Sequence, residues 1–309
     1  MRKASIGVSA FLLALWAALF LSACAVKEKG VQEGMRAPER GEAEPALRKW
    51  RPHAKQGNAT AQYRLGRAYL HGEDAPKDLE KAARWYRRAA TQGHAEAQYG
   101  LGAMYSEGRG LAKDEEKAAK WVKRAAEQGK AKAMHDLGIM YSLGQGMSRD
   151  SNRAAHWYHK AADRGLARSQ YNLGALYAKG QGVEQDYEQA LTWYRKAAEQ
   201  GDAGAQYTIG SMFYHGEGVA RDYEQAAEWY RRAAEGGSPR GQYSLGLMYE
   251  KGRGVERDLV LAYKWLSLSA LQGHADAGTE RQSLAEAMTP KQVTQGQRLT
   301  LRWIVDLKE

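Results

Sequence analysis

The chain has 309 residues, a formal net charge of +10, and a composition that is 43% hydrophobic and 27% charged. That is the make-up of a globular protein, and it excludes a disordered chain, a collagen and a polytopic membrane protein. The single cysteine excludes an internal disulfide framework and any zinc site built on several thiolates.

Met1-Arg2-Lys3 is a basic start, no residue from Ala4 to Val26 is charged, and Phe11 to Leu21 is almost purely aliphatic and aromatic. A short positive segment, an apolar stretch and small residues predict a secretory signal. The end of this stretch, Leu21-Ser22-Ala23-Cys24, resembles a bacterial lipobox. The resemblance implies cleavage before Cys24, a diacylglycerol thioether on its sulfur and acylation of the new terminus. Three acyl chains, each gaining roughly 0.8 kcal/mol per buried methylene, make such an anchor effectively permanent. An uncleaved signal anchor is the alternative, since 23 uncharged residues can span a bilayer. Ala25 stands where aspartate is the usual inner-membrane retention signal, so the expected address is the outer membrane, on its periplasmic face. Cleavage removes Arg2 and Lys3 and leaves a charge of +8, a surplus suited to an acidic partner or a membrane surface. Residues 24–44 then form a lipidated cysteine and a polar tether rich in charge and glycine; about 20 flexible residues span roughly 25 Å.

From Ala61 the chain repeats every 36 residues without an insertion, in units that begin at Ala61, Ala97, Ala133, Ser169, Ala205 and Gly241. A period of this length is the signature of a solenoid. Gly66, Gly102, Gly138, Gly174, Gly210 and Gly246 share one column; Trp85, Trp121, Trp157, Trp193, Trp229 and Trp265 share another. Asp78, Asp114, Asp150, Asp186, Asp222 and Asp258 share a third.

Each unit predicts two helices, A and B. In the second, Ala97, Leu101, Met104 and Tyr105 recur at helical spacing, and Gly108 ends helix A as a left-handed cap. Gly102 inside that helix costs about 1 kcal/mol relative to alanine, a cost that close approach of a neighbouring helix would offset. Leu111 is expected under the connecting loop. Asp114 is placed as N-cap of helix B, with Glu115 and Glu116 beside the positive end of its dipole. Ala118, Ala119, Trp121, Val122, Ala125 and Ala126 make a buried stripe, and Gly129 closes the helix. The alanines allow close packing, and the tryptophan is expected to fill the gap between layers.

These residues resemble the Sel1-like repeat family, relatives of the tetratricopeptide repeats. The match lies in Ala97-Gln98-Tyr99-Gly100-Leu101-Gly102-Ala103-Met104-Tyr105, in Gly108-Arg109-Gly110, and in Ala118, Trp121, Ala125, Ala126 and Gly129. The resemblance implies an all-α fold, a right-handed α-solenoid or superhelix whose A helices line a concave face. It also implies a binding scaffold and not an enzyme.

The ends depart from the pattern, as solenoid caps do. Residues 45–60 read as a capping half-repeat holding a lone B helix, with Trp50 one place off the tryptophan column and Pro52 expected to kink or shorten the helix. Residues 61–276 hold the six repeats and 277–309 the C-terminal capping helices. Ala275 to Met288 reads as a modified A helix. Thr289-Pro290 opens a last helix whose Val293, Thr300, Trp303, Ile304 and Leu307 form a lid over the final tryptophan layer.

The Gly-x-Gly pairs at 108–110, 144–146, 180–182, 216–218 and 252–254 lack the strand-to-helix context of a phosphate cradle and read as turn geometry. The aspartate column reads as caps, not acids or metal ligands. His156 and His159, three apart on one helix, have the spacing of metal ligands but no third ligand, and their column is otherwise polar, so no metal is assigned. His94 and His274 fall in turns. No nucleophile, metalloprotease or phosphate-loop motif is present, and no catalytic residue or cofactor is assigned.

What remains is the concave face. By analogy with tetratricopeptide repeats its lining is Tyr63, Tyr99, His135, Tyr171, Tyr207 and Tyr243. Between them project Arg64, Arg67, His71, Asp136, Asn172, Lys179, Tyr214, His215 and Lys251. Tyrosine offers amphipathic contact at low entropy cost, and the basic residues suit a carboxylate-bearing segment. The tyrosines read equally as half-buried core residues that border the groove. The expectation is a lipid-anchored periplasmic scaffold for a protein or peptide partner, with no nucleic-acid partner and an open oligomeric state. An envelope hydrolase or β-lactam-interacting enzyme, and a surface-exposed or secreted host-interaction factor, are the alternatives.

Overall fold

The computed structural model describes residues 43–72 and 75–306, and the chain divides into two compact units, Met1–Arg149 and Asp150–Glu309. The signal, the lipobox and the tether up to residue 42, together with Leu307, lie outside the described residues, and the first helix begins at Ala43, two residues before the expected end of the tether. In the first unit the helices are α1 (Ala43–Lys55), α2 (Ala59–His71), α3 (Leu79–Thr91), α4 (Ala95–Glu107), α5 (Glu115–Glu127) and α6 (Ala131–Leu143). In the second they are α7 (Ser151–Ala162), α8 (Ala167–Lys179), α9 (Tyr187–Glu199), α10 (Ala203–His215) and α11 (Tyr223–Glu235), followed by α12 (Pro239–Lys251), α13 (Leu259–Leu271), α14 (Ala277–Glu286) and α15 (Pro290–Asp306). Among the described residues there is no strand. Within each unit the helices of the repeats pack mainly on their neighbours in the chain, and α15 folds back onto α13; the fold is an all-α solenoid of helical hairpins.

Local chemistry sets the helix boundaries as the sequence predicts. All six column aspartates cap a B helix; Asp78 Oδ1 accepts from the Lys81 N–H at 2.8 Å, and Asp114 does the same for Lys117. A cap of this kind contributes about 1 kcal/mol. The A helices close on a left-handed glycine, as at Gly108 with φ of 68°. The B helices close one residue past their last turn, where Gly129 takes a φ of 92° and Lys130 N–H reaches the Ala125 carbonyl.

The glycine column marks a close helix contact. A Cβ at Gly102 would meet Val122 Cγ2 at 2.7 Å and the Ala118 carbonyl at 3.2 Å. At Gly66, Gly174 and Gly210 the atoms in the way belong to Tyr86, Tyr194 and Tyr230. The structure therefore corrects the expected role of tryptophan. The residue after it in the chain fills the space over Gly66, Gly102, Gly174, Gly210 and Gly246, and Tyr86, Tyr194 and Tyr230 are buried. Trp157, Trp193 and Trp265 are buried, but Trp85, Trp121 and Trp229 are only half-buried at the rim of their layers. A basic side chain one turn on covers the ring, as Arg124 covers Trp121 at 4.6 Å and Lys196 covers Trp193 at 3.9 Å. Leu111 is half-buried under its loop.

A second buried column ties successive hairpins together. Gln62 Nε2 donates to the Ala54 carbonyl at 3.0 Å while its Oε1 accepts from Gln92 Nε2 at 2.7 Å. One A-helix side chain thus joins the C-terminal ends of the B helices before and after it. Gln98 with Ala90 and Gln128, Gln170 with Ala162 and Gln200, and Gln242 with Ala234 and Gln272 repeat the clasp.

The Gly-x-Gly loops do serve turn geometry. A Cβ at Gly110 would strike the Leu79 carbonyl, and Gly146, Gly182 and Gly254 meet Glu115, Ser151 and Tyr223 in the same way. The second glycine of each pair, at positive φ, lets the loop lie against the first residue of the preceding B helix.

At the N-terminal end Pro52 does not shorten α1, which runs three residues further to Lys55. Leu47, Trp50 and Ala54 are buried against Ala61, Leu65 and Ala68 of α2, and that packing outweighs one lost backbone bond on the solvent side. Trp50 is well packed although it is off the column. At the C-terminal end α14 is shorter than expected, ten residues without a side-chain cap from Asp276. Thr289 and Gln292 form a reciprocal capping box at the start of α15, with Gln292 Oε1 accepting from Thr289 N–H at 2.9 Å. Trp303 meets Trp265 edge-on at 5.1 Å, which makes α15 the expected lid.

Candidate functional site

The A helices carry the ring column, tyrosine in five repeats and His135 in the third, in a half-buried position at every repeat. In the first unit Tyr63 leans on the core ring of Tyr86, with centroids 5.7 Å apart; in the second Tyr171 leans on Tyr194 and Tyr207 on Tyr230. These side chains are therefore half-buried neighbours of the core. One flank of each ring packs against the core, and the remainder is open to solvent. Burial pushes the Tyr194 and Tyr230 hydroxyls well above the ordinary range for tyrosine.

The opposite flank is set by the two histidines expected in turns and by two basic residues. His94 caps α4 through Nδ1, which accepts from the Ala97 N–H at 3.3 Å, and its ring stacks on Tyr63 at 4.7 Å. In the second unit His274 stacks on Tyr243 at 4.4 Å. Lys130 sits 5.5 Å over the Tyr99 ring, and Arg240 lies 5.7 Å from that of Tyr207. His94 and Lys130 stand 31 places after Tyr63 and Tyr99 at the N-caps of α4 and α6, positions that the capping pattern alone could have located.

The charged residues are distributed unevenly. In the first unit Arg64 and Arg67 are half-buried on α2, and the buried Arg64 Nε has no hydrogen-bond partner. Tyr99 donates its hydroxyl to Asp136 Oδ2 at 2.8 Å, and burial together with this bond raises its pKa. His135 is half-buried on α6, and His71 ends α2 in solvent. In the second unit Asn172 is half-buried, while Lys179, His215 and Lys251 are exposed at the C-terminal ends of α8, α10 and α12. Tyr214 packs edge-on to Tyr223 at 5.2 Å and accepts a hydrogen bond from Arg253.

His156 and His159 are both exposed, and His159 Nδ1 lies 2.9 Å from Asp163 Oδ2. Among the described residues no three His, Cys, Asp or Glu side chains are grouped to hold a metal, and no helix is long and apolar enough to cross a membrane.

Stacked helical hairpins that present aromatic and charged side chains on their A helices define a repeat scaffold of the tetratricopeptide kind. Six consecutive segments, residues 59–94, 95–130, 131–166, 167–202, 203–238 and 239–274, match the Sel1 repeat, and the chain belongs to that family. Sel1-repeat proteins are protein-interaction scaffolds, and the family is typically non-enzymatic. The chain is similar to a protective antigen of uropathogenic Escherichia coli with an SLR fold, at 37% identity and a TM-score of 0.75. That match covers 83% of this chain but 56% of the antigen, so the chain spans little more than half of that relative's length. It is also similar to a Sel1 repeat protein from Oxalobacter formigenes, at 31% identity and a TM-score of 0.68, covering 78% of this chain and 96% of the other. No curated protein matches the sequence.

Proposed function

We propose that the protein is a lipid-anchored scaffold of the bacterial envelope, attached through Cys24 at the periplasmic face of the outer membrane. It holds a protein or an extended peptide along its A helices and thereby assists assembly, secretion or signalling. The observation that carries the reading is a contrast between adjacent columns. The ring column is tyrosine in five of six repeats, whereas the next residue is Arg64, Gly100, Asp136, Asn172, Thr208 and Ser244 in turn. Uniform half-buried rings supply contact area at low entropy cost, and the varied column beside them supplies selectivity. Its one basic member, Arg64, suits a carboxylate on the ligand.

Crosslinking in cells followed by affinity capture tests this. Wild type is expected to retain a defined partner that Tyr171→Ala combined with Asn172→Ala loses; identical captures would overturn the groove assignment. Cys24→Ala should abolish labelling by a fatty-acid analogue and release the protein from membranes. Unchanged fractionation would remove the anchor.

A second reading, display on the cell surface, is suggested by one relative that is a protective antigen. Display on the cell surface would make the body sensitive to protease on intact cells, whereas the periplasmic arrangement protects it.

A further inference from the structure

The positive charge is segregated. Residues 47–149 contain twenty Lys and Arg against eleven Asp and Glu, a formal surplus of nine, whereas residues 150–306 contain nineteen of each sign. The surplus follows the B helices of the first unit. Arg48, Arg84 and Lys120 occupy one repeat place on α1, α3 and α5, and Arg51, Arg87 and Lys123 occupy another one turn on. All six are exposed. In the second unit the first of these places holds His156, Thr192, Glu228 and Lys264, so the row of cations is not required by the repeat.

The acids on this layer do not cancel it. Glu80, Glu116 and Glu127 stand 3.8, 4.0 and 3.8 Å from Arg84, Lys120 and Lys123 in exposed pairs, and the surplus already counts them. Arg87 donates to the Tyr105 hydroxyl at 3.1 Å, and Arg88 and Arg124 lie over Trp85 and Trp121. These three cations are held by aromatic groups, which fixes their position without neutralising them.

We infer that the outer helices of the first unit dock on an anionic phospholipid surface. Charge complementarity requires a polyanion, and the chain itself indicates which one. Cys24, the proposed lipid site, lies eighteen residues before α1, a stretch that even fully extended reaches no more than roughly 65 Å. The unit entered first from that anchor is the charged one, and Lys49 and Lys55 of α1 are part of its surplus. Basic clusters next to an apolar anchor are attracted to anionic headgroups within about a Debye length of the surface. The choice of a membrane as the polyanion rests on the proposed anchor, whereas the contact itself needs neither the groove nor the acyl chains.

Vesicle flotation with the chain from Ala43 onward, which contains every described helix, separates this contact from the anchor. Vesicles of phosphatidylcholine alone are compared with an equal mixture with phosphatidylglycerol, at low and high salt. The body should float only with the anionic vesicles and lose binding in high salt. Arg84→Glu, Arg87→Glu, Lys120→Glu and Lys123→Glu together should weaken binding at least about tenfold. Four reversals in the second unit, at Arg195, Lys291, Arg298 and Arg302, should leave it unchanged, with circular dichroism confirming the fold of both variants. Absence of binding, equal losses in the two variants, or binding to heparin and nucleic acid but not to vesicles would each overturn the inference. None of those results would bear on fatty-acid labelling at Cys24.

Discussion

Gln206 holds a buried carboxamide oxygen with no hydrogen-bond partner, and the place from which its equivalents receive a bond is occupied by Gly236. Gln206 Nε2 still reaches the Ala198 carbonyl at 3.1 Å, so only half of the clasp is missing. The backbone at Gly236, with φ of −71° and ψ of 7°, is close to that of Gln92, with φ of −85° and ψ of 4°. A Cβ there lies 3.3 Å from the Arg232 carbonyl and 3.6 Å from Ala203 Cβ, so a glutamine fits with a small shift. Gly236→Gln should therefore stabilise the second unit by about 1 kcal/mol, through one new bond to a buried acceptor and a less flexible unfolded chain. An increased denaturant midpoint would verify this; Gln206→Met, which copies Met134 of the third repeat, should remove the gain.

Gly174 tests the close helix contact. A Cβ there meets two Tyr194 ring carbons at 2.9 Å and the Ala190 carbonyl at 3.0 Å, all in the core of the second unit. Gly174→Ala gains helix propensity yet should destabilise by about 1–3 kcal/mol, because overpacking dominates. Pairing it with Tyr194→Leu should recover part of the loss in a double-mutant cycle. Additive effects would mean that the ring is not what the methyl group strikes.

The tryptophan column should respond unevenly to truncation. Trp157→Ala and Trp193→Ala remove buried rings and should cost about 3–5 kcal/mol each. Trp121 is half-buried at the rim, so Trp121→Ala should cost clearly less, while Tyr86→Ala should rank with the buried tryptophans. Chemical denaturation of the four variants gives the order directly.

His94 makes stability pH-dependent. Burial holds its pKa below the ordinary value near 6.5, although Glu96 at 3.6 Å acts in the other direction. The unfolded chain therefore binds the proton more readily than the folded one. The contribution is complete above about 6.5 and is lost as pH falls toward the lower folded value. Protonation of Nδ1 also removes the acceptor for the Ala97 N–H. His94→Asn, which copies the Asn58 cap of the first repeat, should flatten this part of the profile without lowering stability at neutral pH.

Much of the architecture is legible before any coordinates, and the reason is locality. Asp78 and its equivalents cap through atoms three residues away, and Gly108 and Gly129 end helices through their own φ angles. The 36-residue period exposes the hairpins because stacking requires each unit to repeat the same faces. The candidate site was legible only as a column, Tyr63 to Tyr243, because spacing locates a helix face but not what lies across from it.

Tertiary structure alone decided which member of the Trp85–Tyr86 pair covers the glycine. Trp85 and Tyr86 stand about 100° apart on one helix, so both border the apolar stripe. The rotation of α3 against α2 selects the tyrosine to cover Gly66. The same holds for the Gln62–Gln92 clasp and the Tyr63–His94 stack, whose partners lie 30 and 31 residues apart. A contact at that separation depends on how helices cross, and crossing angles follow from interlocking side chains on two surfaces at once, which a linear pattern does not contain.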